Sequence, residues 1–188
     1  TISEAHLLNV IEEMLAQFPF EILGFHADNG SEYVNHKVAR LLDKLRIEFT
    51  RSRPRHSNDN GLVETKNGAV VRKEFGYEHI HRRHADRFDT YCREYLNPFL
   101  NFHRPCLFAT ELPDPKKPGR IKRVYRPRDA MTPLDKLASL PEAASFLRPG
   151  VTLLDLQQLA RALTDVQAAE ELNEARQALF RRAATRTG

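Results

Sequence analysis

The sequence predicts an α/β fold, with strands covered by helices in its first part and a mostly helical tail at its end. Three features carry that expectation. Helical and strand-like hydrophobic patterns alternate over residues 3–50, the order that parallel strands with crossover helices require. A basic stretch punctuated by Pro and Gly interrupts the chain between residues 111 and 150. Beyond it, residues 152–183 mix Leu, Gln, Arg, Glu and Ala at helical spacing, as one long helix or a helical pair polar enough to stand off the core.

In order along the chain, Leu7, Leu8, Ile11, Met14, Leu15 and Phe18 fall on one face of a helix over 3–18, with Thr1 and Glu4 spaced as a capping box and Pro19 as the stop. Residues 21–27, Glu-Ile-Leu-Gly-Phe-His-Ala, are short and apolar and end at the turn signal Asp28-Asn29-Gly30, which predicts a buried strand with Asp28 at its carboxyl end. Val34, Val38, Leu41, Leu42 and Leu45 mark a second helix, and Ile47–Thr50 a second strand. Residues 51–60 read as a loop, and a helix follows from about Gly61, carrying Leu62, Val63, Lys66, Val70 and Lys73. From Ala85 to Phe102 the apolar positions again keep helical spacing, and Pro98 is expected to kink or divide that helix. Residues 132–148 read as short turns bounded by prolines.

Composition narrows the function classes. The 188 residues are 41% hydrophobic and 29% charged, and no apolar run reaches the length that spans a bilayer, so no membrane role is expected. No basic stretch followed by an apolar one opens the chain, which points to the cytoplasm. Cys92 and Cys106 lack CxxC spacing and read as reduced thiols. A net charge of +4 is weak evidence for a polyanionic partner; its distribution says more. Lys116, Lys117, Arg120, Lys122, Arg123, Arg126 and Arg128 cluster with no acid among them, in a segment that Pro115, Pro118, Gly119 and Pro127 make hostile to helix and favourable to extended chain.

Two carboxylates stand out together. Asp28 ends a strand in the context His-Ala-Asp-Asn-Gly-Ser-Glu-Tyr, and Glu64 lies on the helix after the second strand in the context Ser-Asn-Asp-Asn-Gly-Leu-Val-Glu, with residues 29–63 between them. Taken alone, an Asp-Asn-Gly after a strand is a turn, and a Glu on a first helical turn partners the helix dipole. The pair, its spacing and its contexts resemble the second and third members of the triad of DDE-type transposases and retroviral integrases, notably the insertion-sequence transposases of bacteria. Thr50-Arg-Ser-Arg-Pro54, Asn101-Phe-His-Arg-Pro105 and Met131-Thr-Pro-Leu-Asp135 resemble later landmarks of the same cores, so the likeness covers roughly residues 1–140 and leaves the tail uncovered.

The resemblance implies an RNase H-like (integrase core) fold with an incomplete sheet: a partial catalytic core over 1–110, the basic extended segment over 111–150 and the helical tail over 151–188. It implies cleavage of phosphodiesters and strand transfer at transposon ends, with Asp28 and Glu64 binding a pair of Mg²⁺ (or Mn²⁺) ions roughly 3.5–4 Å apart. Such ions need few protein ligands and prefer carboxylates, so no His or Cys cage is required. Arg51, Arg53 and Arg55, with Lys66, Asn67, Arg72 and Lys73 around Glu64, are the candidate contacts to DNA phosphates; a solvated basic loop explains any one of them equally well. Glu32 and Asp59 read as a helix acid and a loop residue. His79, His81 and His84 form an H-x-H-x-x-H cluster with ligand spacing, although exposed loop histidines beside a basic patch account for it more simply.

One departure shapes the expectation of activity. Complete cores of this class open with a strand bearing the first Asp and two further strands before the helix at 3–18, and none of Glu4, Glu12, Glu13 or Glu21 stands in that place. A truncated core is therefore expected, inactive alone, with a strand edge at 21–27 that favours a homo-oligomer. Two other readings remain open: a non-catalytic DNA-binding or assembly remnant that uses the basic segment and tail, and an RNase H-like nuclease, since fold does not fix reaction. In each the partner is DNA, as transposon ends and target in the first.

Overall fold

The computed structural model describes residues 4–27, 36–53 and 67–184, in two compact units that divide between Ile80 and His81. The first unit begins with helix α1 (Glu4–Gln17), strand β1 (Gly24–Ala27), helix α2 (His36–Lys44) and strand β2 (Glu48–Arg51). β1 and β2 pair in parallel, Gly24 opposite Glu48 through Ala27 opposite Arg51, as the alternating pattern requires. Ile11, Val38, Leu42 and Ile47 form the buried core, and Leu8, Leu15, Ile22, Phe25, Leu41 and Phe49 pack against it. The apolar positions of α1 and α2 thus meet over the one strand pair, and β1 has β2 as its only strand partner among the described residues.

The turn from α2 into β2 is set by backbone chemistry. Ile47 N–H bonds Leu42 C=O at 2.8 Å and Arg46 N–H bonds Asp43 C=O at 2.9 Å, while Arg46 takes a left-handed φ of 56°. This is a Schellman cap, and its hydrophobic partner contact is Ile47 against Leu42, both in the core. A non-glycine residue in that conformation carries a strain of about 1 kcal/mol. After residue 66 a wide π-type turn, Asn67–Arg72, runs into the short turn Lys73–Phe75 and stops at Gly76, whose φ is 75°.

The second unit is built from helix α3 (Ala85–Tyr91), which continues through wide turns at Cys92–Leu96 and Phe99–His103, strands β3 (Cys106–Pro113) and β4 (Ile121–Met131), and helices α4 (Pro133–Ala138), α5 (Leu153–Arg161) and α6 (Asp165–Ala184). Pro98 does not divide its helix: it keeps φ −57° and ψ −47°, with the wider turns on either side of it. The helix ends at His103 because Arg104, ahead of Pro105, is held extended at φ −108°, ψ 103°. The region expected as turns at 132–148 instead contains α4, where Pro133 occupies the first helical position that suits it. The tail is a helical pair and does not stand off the core. Leu156 is buried with Leu134 and Leu147, Ala168 and Leu179 are buried on α6, and Phe180 meets Phe88 of α3 edge-on at 5.9 Å.

Three reciprocal caps fix the helix starts of this unit. Thr132 with Asp135, Thr152 with Asp155 and Thr164 with Gln167 each exchange a side-chain and a backbone bond across three residues. The buried ring of His103 donates from Nδ1 to Asp165 Oδ1 over 2.9 Å, joining the end of the α3 helix to the start of α6. The basic segment forms part of a hairpin: Pro113 pairs with Ile121, Glu111 with Arg123 and Ala109 with Tyr125. Cys92 and Cys106 are half-buried and not joined in a disulfide. Among the described residues no helix is long and apolar enough to cross a membrane.

Candidate functional site

The carboxyl ends of β1 and β2 lie level, because the parallel register puts Ala27 beside Arg51. The ladder continues one step further, with Ser52 N–H bonded to Ala27 C=O at 3.0 Å. In a parallel unit with a crossover helix this end of the sheet is where loops gather and ligands bind. Asp28 is the next residue after β1, but Asp28, Arg55, Glu64 and Lys66 lie outside the described residues, as do Glu32 and Asp59.

What the described residues do at this end is specific. His26 bridges both strands, Nδ1 to Thr50 Oγ1 at 2.8 Å and Nε2 to Ser52 Oγ at 3.2 Å. Ser52, only 5% exposed, directs its hydroxyl to Ala27 C=O at 3.5 Å. That direction fits a His26 tautomer with the proton on Nε2, donating to Ser52 and accepting from Thr50 at Nδ1. Both ring nitrogens are thereby engaged, so His26 braces the strand ends. It is not placed to act as a metal ligand. His26 was not among the residues singled out from sequence; its signal was the His-x-Asp spacing at the end of a strand with Thr and Ser on the neighbouring strand.

The predicted DNA contacts divide into two groups. Arg51 and Arg53 are exposed at and just beyond the end of β2, and the Arg51 guanidinium lies 5.9 Å from the centre of the Phe49 ring. Asn67, Arg72 and Lys73 are exposed on the helical turn after residue 66, where Arg72 sits 5.4 Å from the Tyr77 ring centre. Stacking of this kind extends the side chains over apolar surface and leaves their charge in solvent.

The histidine cluster has other roles. His81 caps the turn Arg82–His84 by accepting from Arg83 N–H at 3.2 Å. His84 is buried; its Nε2 accepts from Arg83 Nε at 3.1 Å while its Nδ1 has no partner. Burial first, then the charges of Arg83, Arg87 and His81, hold its pKa below the ordinary imidazole value. Among the described residues no three His, Cys, Asp or Glu side chains are grouped to hold a metal ion.

Two of the landmarks behind the resemblance have structural work that explains them locally. Asn101-Phe-His-Arg-Pro105 ends a helix, buries His103 against Asp165 and starts β3. Met131-Thr-Pro-Leu-Asp135 ends β4 and caps α4.

No protein-family model and no solved structure matches the chain. A stretch of 71 residues, 38% of the chain, is 37% identical to "Uncharacterized protein y4rM" of Sinorhizobium fredii (strain NBRC 101917 / NGR234), and it spans 20% of that protein's length.

Proposed function

We propose that residues 1–110 form part of the catalytic core of a DDE-type transposase or integrase, of RNase H-like fold, acting on the phosphodiesters of DNA. The observation that carries the reading is the parallel β1–α2–β2 unit. Its register sets Ala27, which precedes Asp28 in the sequence, beside Arg51, with the phosphate-seeking cations Arg51 and Arg53 at this end of the strand pair. Glu64, on the segment after β2, supplies the second carboxylate.

The donor chemistry fits Mg²⁺ or Mn²⁺: two carboxylates and no soft ligand, with His26 already committed to Thr50 and Ser52. Asp28 and Glu64 would hold the ions, which when bound activate the attacking oxygen and stabilise the leaving one. Arg51 and Arg53 place the DNA backbone, and His26 keeps the ends of β1 and β2 together through Thr50 and Ser52. These 188 residues supply two carboxylates where the resemblance calls for three, so nicking is expected only when a strand bearing another Asp is joined upstream. The test is nicking of supercoiled DNA with Mg²⁺ or Mn²⁺. The chain alone should give background; the extended chain should nick, and Asp28→Asn or Glu64→Gln should return it to background. Nicking that survives both substitutions refutes the assignment and favours a nuclease with other ligands.

A further inference from the structure

The hairpin of β3 and β4, in the second unit, is a further feature that chemistry must account for. Its tip is a tight, internally bonded turn. Asp114 N–H bonds Arg120 C=O at 2.8 Å, Arg120 N–H returns to Lys117 C=O at 3.0 Å, and the Asp114 carboxylate accepts from Lys116 N–H at 2.9 Å. Gly119, at φ 80°, closes it. Lys116, Lys117, Arg120 and Lys122 are exposed on this tip.

Every acid of the hairpin is already engaged. Glu111 pairs with Arg123 at 3.1 Å, Asp129 meets Thr110 at 3.3 Å and Arg128 at 3.8 Å, and Asp114 is held by the turn. No carboxylate among the described residues pairs with the four tip cations. The outward face adds apolar surface: Ile121 is 68% exposed and Tyr125 58%, four residues apart on one strand face with Arg123 between them. Lys122, one residue on from Ile121, points to the opposite face. Positive charge therefore surrounds the tip on both faces. A flat acidic surface reaches one face of such a ribbon, whereas a groove walled by phosphates reaches both. The major groove of duplex DNA, about 12 Å wide, admits a two-stranded ribbon.

The geometry points to the β3–β4 hairpin as a DNA-binding ribbon that inserts its tip into a groove of the duplex, with Lys116, Lys117, Arg120 and Lys122 on the phosphates and Ile121 and Tyr125 against the sugars. It takes its partner from the proposed function but does not depend on Asp28 or Glu64. Where Pro127 cannot donate to the ladder, one residue, Phe108, faces four, Arg126–Asp129. That bulge bends the base of the ribbon and leaves the regular part, Ala109–Pro113 with Ile121–Tyr125, to carry the tip.

The test is fluorescence anisotropy of a labelled duplex titrated with the full chain between 50 and 200 mM salt. Removing all four tip charges (K116A, K117A, R120A and K122A together) should weaken binding about tenfold or more at the lower salt. It should also reduce the slope of log affinity against log salt by about 3 to 4, close to one unit per lost phosphate contact. Arg120→Glu alone should move both readings the same way by a smaller amount, which guards against misfolding of the multiple variant. Removing Arg72 and Lys73 should lower the slope by no more than about 2. Duplex binding by the native chain that the tip variants leave unchanged overturns the ribbon and leaves the proposed function standing. A native chain that binds no duplex at 50 mM salt overturns both. Tighter binding of single-stranded RNA or of an acidic peptide than of duplex overturns the groove assignment.

Discussion

The unit Thr1–Ile80 and the unit His81–Gly188 secure their elements by different means. In the first, the described core joins residues distant in sequence: Ile11 on α1, Val38 and Leu42 on α2, and Ile47 leading into β2. Its helices are held by the face they bury, and its parallel strands pair only because α2 carries the chain back. In the second, the chain dictates much of its course locally, through reciprocal caps at Thr132, Thr152 and Thr164, a proline that ends α3, and a turn that closes the hairpin. The contrast shows where each unit is vulnerable. Loss of one core side chain strikes the first unit as a whole, while loss of one cap strikes a single helix of the second.

The largest expected effect follows from Leu42, fully buried at 0% exposure. Leu42→Ala should destabilise the first unit by about 2–5 kcal/mol through lost transfer energy and a residual cavity. Urea unfolding followed by hydrogen exchange should show Phe49 losing protection while Leu179 keeps it. Equal loss at both would mean that the units unfold as one. Thr132→Ala should cost about 1 kcal/mol, confined to the second unit, because the Asp135 N–H loses its hydroxyl acceptor; a shift several times larger would mean that α4 is more than locally held.

Arg46→Gly works in the opposite direction. It relieves the left-handed φ at the Schellman cap, and after the added flexibility of the unfolded chain is subtracted it should stabilise the first unit by less than about 1 kcal/mol. A destabilised variant would show that the Arg46 side chain contributes more than its backbone strain removes. The smallest effect is in pH dependence. The Thr152 hydroxyl bond, and then its backbone bond, hold the Asp155 carboxyl below its ordinary 3.8. A depressed folded pKa gives stability that is present above the unfolded value and lost as pH falls through the folded one. Thr152→Ala should therefore flatten the acid limb of the stability curve below about pH 4, which thermal unfolding from pH 5 down to pH 2 would reveal; an unchanged limb would assign the acid loss to other carboxylates.

The first unit was the more legible in the sequence, and for a physical reason. Burial on one face writes itself as a period, and the helices at 4–17 and 36–44 with the strands at 24–27 and 48–51 fall within a few residues of the pattern. The hairpin was harder to read, because basic residues and prolines masked its alternation, and β3 begins at Cys106, ahead of the segment expected to be extended from residue 111. The tail was misjudged as free-standing: Leu156, Ala168 and Leu179 are too widely spaced among polar residues to announce a buried stripe. Of the site, Arg51 and Arg53 read as loop residues after the second strand, whereas Arg51 is the last residue of β2 and Arg53 lies just beyond it. It overlooked His26, whose bridge to Thr50 and Ser52 exists only once the two strands are side by side.

Among the described residues β2 is the one strand that pairs with β1, which bears on assembly as well. An open strand edge is a template for another chain, so light scattering of the 188-residue chain should show mass rising with concentration. A monomer at every concentration would mean that this edge is covered.

The central claim is that Asp28 and Glu64 bind metal at the carboxyl end of the β1–β2 pair, and paramagnetic broadening by Mn²⁺ tests it most directly. Nuclear magnetic resonance spectra of the full chain, titrated with Mn²⁺, should lose the amide signals of Ala27 and Ser52 first, and Asp28→Asn or Glu64→Gln should restore them. Broadening that begins at His79 and His81, or that persists at Ala27 in both variants, would contradict the account.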